Sequence, residues 1–129
     1  LGLANIAIIA VMIRYGTVSG LLMTLLRSGF VFLTRGASAA VMSLSGGLLA
    51  FAAAAVLMII MKRSCKFSCI IAAMCHTLGQ LAAACVLTGS VYTLAYVVVL
   101  MPVSIFTGFL TGTVLQALQG FLDDRKVVK

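Results

Sequence analysis

From Gly36 to Met61 the chain carries no charged residue. A run of that length exceeds the roughly 20 apolar residues that a helix needs to cross a bilayer, so it spans with some tilt. Within lipid each backbone N–H and C=O must find its partner inside the structure, and helix is the local solution. The rest of the sequence repeats the theme: 64% of the 129 residues are hydrophobic, 9% are charged, and the mean hydropathy is +1.28. A soluble domain of this size could not hide so much apolar surface, since by area scaling roughly a third would still face water. The chain is therefore read as an integral membrane protein. Its net charge of +7 sits mostly between or beyond apolar runs, where topology accounts for it and nucleic acid is not expected as a partner.

Taken in order, Leu1 to Ile13 is apolar apart from Asn5 and ends at Arg14-Tyr15-Gly16. Thr17 to Leu33 follows, broken by Arg27 and closed by Arg35-Gly36. The uncharged third run opens with Ala39, Ser43 and Gly47 at four-residue spacing, small residues that let another helix approach closely. Lys62-Arg63-Ser64-Cys65-Lys66 forms the clearest hydrophilic loop. Phe67 to Leu87 is the next span, then a Thr88-Gly89-Ser90 turn, then Val91 to Leu122. That last run is about 48 Å long by helical rise, and Pro102 is expected to kink or divide it near its middle. Ser104, Gly108 and Gly112 make a second small-residue ridge.

The expected fold class is an all-α, polytopic transmembrane helical bundle of about five spans. Residues 1–122 form a single transmembrane domain and residues 123–129 a short polar tail. The abrupt start at Leu1 and the short first run suggest a first helix missing upstream. Placing the basic loop 62–66 in the cytoplasm puts Arg14 and the C-terminal tail there too.

Polar residues inside spans are the candidates for function, because lipid penalises them. His76 and Gln80 lie four residues apart and share one helix face. Arg27 has no acidic residue within any span to pair with: it either faces a cavity, a partner or an anionic ligand, or snorkels outward along its alkyl stem. With the orientation above, Asn5, Arg27, Ser43, Ser45, Gln80 and Tyr96 gather toward the outer face, with His76 near mid-membrane. For His76 and Gln80 a satisfied interhelical hydrogen bond competes with ligand contact. Tyr92 and Tyr96 read as interfacial anchors before stacking groups. Cys65, Cys69, Cys75 and Cys85 show no CxxC pair and read as packing thiols. No second His or carboxylate lies at ligand spacing from His76, so neither a metal nor a cofactor is expected.

Several segments together carry a resemblance: Leu1-Gly2-Leu3-Ala4-Asn5-Ile6, Leu25-Leu26-Arg27, Ser43-Leu44-Ser45-Gly46-Gly47-Leu48-Leu49, His76-Thr77-Leu78-Gly79-Gln80-Leu81 and Thr107-Gly108-Phe109-Leu110-Thr111-Gly112. In this order they resemble the Gx transporter family, often labelled heptaprenyl diphosphate synthase component I. That family is similar to the substrate-binding S components of energy-coupling-factor transporters. The resemblance implies a substrate-binding membrane subunit for uptake of a small anionic or amphipathic compound. Separate transmembrane and ATPase subunits would drive it, and no GxxxxGK[ST] pattern is present here. The alternative is a structural or accessory subunit of a membrane redox or quinone/flavin-linked assembly. A prenyl diphosphate synthase subunit is the weakest reading. Such enzymes hold Mg²⁺ through clustered carboxylates, and Asp123-Asp124 is followed by Val127 where a DDxxD pattern needs its third Asp. Catalysis is therefore not expected.

Overall fold

The computed structural model describes the backbone of residues 2–59 and 65–127, and the side chains of residues 5–57 and 66–121. Five α-helices follow one another: α1 (Gly2–Tyr15), α2 (Thr17–Arg35), α3 (Ala37–Ile59), α4 (Cys65–Thr88) and α5 (Val97–Val127), with a 3₁₀ segment (Val91–Tyr96) before the last. Four of the helices are long and apolar enough to cross a membrane, and α1 is shorter. The protein is an all-α membrane bundle without strands among the described residues.

Single glycines join the first three helices. Gly16 and Gly36 take φ of +96° and +90°, a region that costs any residue with a Cβ. Each donates its N–H back to the helix it ends, Gly16 to Met12 at 3.0 Å and Gly36 to Phe32 at 3.1 Å. Such tight links leave consecutive helices side by side.

Helix α4 lies between α3 and α5 and makes its most extensive contacts with them; α2 packs on α3, and α1 closes the ring against both α2 and α5. Glycines set the spacing. A Cβ on Gly47 would come within 2.7 Å of Thr24 Cγ2 on α2, and one on Gly108 within 2.7 Å of the Ile70 Cα on α4. A Cβ on Gly112 would lie 2.8 Å from the Lys66 Cα, so the ridge begun at Ser104 is the seam between α5 and α4. Towards the other end of α1, Ile9, Met12, Ala50, Ala54, Cys69, Ala72 and Leu115 form the apolar core. Large exposed side chains such as Phe30, Leu33, Val98, Phe106 and Phe121 cover the outside, as expected where lipid is the solvent.

Three boundaries differ from the sequence expectation. Pro102 neither divides the last run nor lies at its middle: the change of structure falls at Tyr96–Val97, and Pro102 is inside α5. Its ring bears on the carbonyl four residues back, that of Val98. Val98 is in the first turn of α5, so the disturbance coincides with the helix start. Residues 123–127, read as tail, continue α5 as far as Val127, since neither Gly nor Pro follows Gly120 to stop it. Cys65 and Lys66, read as loop, open α4; Lys62 to Ser64 lie outside the described residues.

Candidate functional site

A cavity of about 170 Å³ lies inside the ring between α1, α3, α4 and α5. Its polar wall is made by Asn5, His76, Thr77, Gln80, Ser104 and Thr107, and the remainder is apolar, chiefly Leu81, Leu100, Val103 and Met42. Helix α4 supplies three of the polar groups because positions i, i+1 and i+4 fall on adjoining parts of one face. Asn5 is presented from α1, where its buried side chain meets α2.

The polar wall has two parts. On the α4–α5 side the Thr77 and Ser104 hydroxyls are engaged. Thr77 donates to the Ala73 carbonyl or shares its proton with Ser104, while Ser104 also reaches the Leu100 carbonyl at 2.7 Å. Hydroxyl bonds back to the preceding turn satisfy these groups within their own helices. A double-mutant cycle of Thr77→Val and Ser104→Ala is expected to give a coupling of about 0.6 kcal/mol, typical of interhelical hydrogen bonds in membranes. Reversible unfolding in mixed micelles measures it, and a coupling of zero would mean that the two hydroxyls are satisfied separately.

On the α1–α4 side the His76 ring is not engaged. His76 is 4% exposed, and neither ring nitrogen has a hydrogen-bond partner among the described residues. The Gly46 backbone approaches the ring, without the geometry of a full hydrogen bond. Gly46 is what admits the ring at all: a Cβ there would lie 2.6 Å from the His76 carbonyl and 3.0 Å from Nδ1. Gln80 lines the same side of the cavity. Buried polar atoms without partners are uncommon in proteins, and each calls for a reason.

Arg27 finds its partner in Asn5. The guanidinium Nη1 donates to the Asn5 Oδ1 at 3.2 Å across α2 and α1. The sequence names both residues but gives no sign of the pair. The other expected site residues are placed differently. Ser45 does not line the cavity and donates to the Gly79 carbonyl at 2.8 Å, tying α3 to α4. Ser43 is buried with its hydroxyl unpartnered and does not line the cavity. Tyr96 is 64% exposed on the 3₁₀ segment and away from it. Ala39 is half-buried near the start of α3. The sequence does not single out Thr77 and Thr107, and it marks Ser104 by size alone; the one signal for Thr77 is its place beside His76 on an apolar helix. Among the described residues no three His, Cys, Asp or Glu side chains gather.

Comparison with curated proteins and with solved structures gives no match. The sequence model of one family, described as heptaprenyl diphosphate synthase component I, matches residues 1–118. Nearly the whole of the described bundle, with all of its cavity wall, falls in that match, and the chain belongs to the heptaprenyl diphosphate synthase component I family.

Proposed function

We propose that the protein is a membrane-embedded substrate-binding subunit, resembling an S component, for uptake of a small anionic or amphipathic compound. The observation that carries this reading is the cavity itself: a partly open space between the helices of a membrane bundle, with His76 held buried and without a hydrogen-bond partner among the described residues on its wall. Recognition fits better than packing, because a polar group without a partner is costly to the folded protein unless something else supplies the partner. Asn5, His76 and Gln80 are the ligand contacts in this reading, and no catalytic role is assigned to any of them. Energy for uptake comes from separate transmembrane and ATPase subunits. The protein sits in the cell membrane with the basic loop 62–66 and the C-terminal tail on the cytoplasmic side, so that the cavity loads from outside.

Gln80→Leu keeps a good helix former in α4 and removes one contact. Native mass spectrometry of the full chain from its membrane is expected to show a bound small molecule that this variant has lost, and cells carrying the variant are expected to lose uptake of that molecule. Protein that carries no small molecule, together with uptake unchanged by Gln80→Leu, would remove the proposal.

A further inference from the structure

The pairing of Arg27 with Asn5 fixes what the cavity can recognise. A guanidinium has five N–H donors and no acceptor, so the Asn5 carboxamide must turn its oxygen to Arg27. Its NH₂ group is left on the other side of the amide, where among the described residues it has no hydrogen-bond partner, and Asn5 lines the cavity. Arg27 does not line it. The wall of the cavity therefore carries the Asn5 amide, whose remaining hydrogen-bonding groups are donors, with the Arg27 guanidinium behind it and not in the lining.

Next along the wall are the two unpartnered nitrogens of His76. A neutral imidazole offers one donor and one acceptor, and the Gln80 amide offers two donors and an oxygen. A ligand that satisfies this set needs acceptors for the Asn5 and Gln80 NH₂ groups and an N–H for the imidazole lone pair or the Gln80 oxygen. A carboxamide, a lactam or a ring with C=O beside N–H has both kinds of group. A carboxylate has acceptors alone and leaves the buried acceptors of the wall orphaned, which is penalised. Opposite them α5 contributes the apolar Leu100 and Val103 beside the Ser104 and Thr107 hydroxyls. The volume of about 170 Å³ is close to the roughly 150 Å³ of an apolar cavity that holds benzene in another protein.

We infer that the site takes a neutral compound with an amide-type edge, an acceptor beside an N–H, on a body about the size of a six-membered ring, and that Arg27 is a positioning residue that aims Asn5 at it. This rests on the binding-subunit reading and narrows its ligand to the amphipathic kind.

The test titrates benzamide and benzoate separately into the full chain in detergent micelles, with empty micelles as blank, followed by ligand-observed NMR. Benzamide is expected to bind at least tenfold more tightly than benzoate, since one satisfied hydrogen bond against one orphaned acceptor is a tenfold matter. Asn5→Asp still accepts from Arg27 but replaces the NH₂ by oxygen, and benzamide affinity falls about tenfold. Arg27→Met leaves the Asn5 amide unfixed, and the ratio of the two affinities drops toward one. Arg27→Lys, which keeps a donor for the Asn5 oxygen, restores the ratio. Circular dichroism checks that each variant is folded, and a loss of discrimination at unchanged helicity is not what a purely structural Arg27 would give. Benzoate binding more tightly than benzamide and vanishing in Arg27→Met would overturn the inference in favour of direct anion contact. Equal affinities, or no saturable binding of either probe, would overturn it outright. Native mass spectra of the same samples separate the two levels: a bound small molecule that neither probe displaces sinks the amide-edge inference alone, whereas protein with no bound molecule and no probe binding sinks both.

Discussion

Gly79→Val is expected to unfold or splay the bundle, with a loss on the order of 3 kcal/mol, the upper end of the costs of overpacking. At the crossing of α3 and α4 the two backbones touch. A Cβ on Gly79 would lie 2.8 Å from the Gly46 Cα and 2.9 Å from the Ser45 carbonyl, so what it meets is mostly chain rather than the end of a flexible side chain. Relief requires the helices to part. Parting them breaks the bond from the Ser45 hydroxyl to the Gly79 carbonyl and draws α4 away from the floor that Gly46 makes under His76. Helix propensity acts the other way, by less than about 1 kcal/mol for Gly to Val, and cannot offset the clash. Gly29→Ala is the control: a Cβ there meets nothing within 4 Å, and the change is expected to be neutral or stabilising by up to about 1 kcal/mol. Reversible unfolding in mixed micelles measures both. Equal effects at Gly79 and Gly29 would mean that the α3–α4 crossing is looser than its geometry implies.

Much of the bundle was legible in the sequence because lipid simplifies the code. Uncharged runs give helices, and Gly16, Gly36 and the Thr88-Gly89-Ser90 turn punctuate them where the chain does turn. Small residues at four-residue spacing marked the seams at Gly47, Gly108 and Gly112, since few other devices bring two membrane helices so close. His76 and Gln80 could be put on one wall from spacing alone. What spacing cannot give is which polar group answers which. Asn5 and Arg27 sit on different helices, and their bond depends on how α1 lies against α2. Ser104 has the size of a packing residue and the hydroxyl of a polar one, and only the position of Thr77 across the seam decides that it does both. Tyr96 lies outside the cavity, where an interfacial anchor would stand, and the six residues from Val91 are 3₁₀ rather than α. Three residues per turn in place of 3.6 rotates the faces, and the Tyr96 ring is exposed on the outside. Pro102 does not divide the last run, since the change from 3₁₀ to α falls at Tyr96–Val97 and Pro102 lies inside α5.

His76→Leu is expected to make the empty protein more stable and to abolish ligand binding. The two effects have one origin. In the structure the imidazole is buried with neither nitrogen in a full hydrogen bond among the described residues, only the Gly46 backbone standing close, and a buried polar group left so carries most of its desolvation penalty of about 1–3 kcal/mol. Leucine is similar in bulk to the ring, removes the polar atoms, and is a better helix former. Part of the gain is lost because an unfolded helix in the membrane also finds partners for its polar groups, so a net stabilisation of about 1 kcal/mol is the expected reading from unfolding in mixed micelles. Gly46 sets a limit on how a new side chain can lie, since a group leaning toward α3 meets backbone at once; Leu must turn into the cavity, which fills it and adds to the loss of binding. His76→Gln tests the same point from the other side: it keeps one donor and one acceptor, so it is expected to retain part of the binding and little of the added stability. A protein tuned only for folding would not keep His76 in this place, and stability given up at a site is the usual mark of function. If His76→Leu is instead less stable than the parent by 1 kcal/mol or more, the ring has a hydrogen-bond partner in the folded protein, and the recognition role passes to Asn5 and Gln80 alone.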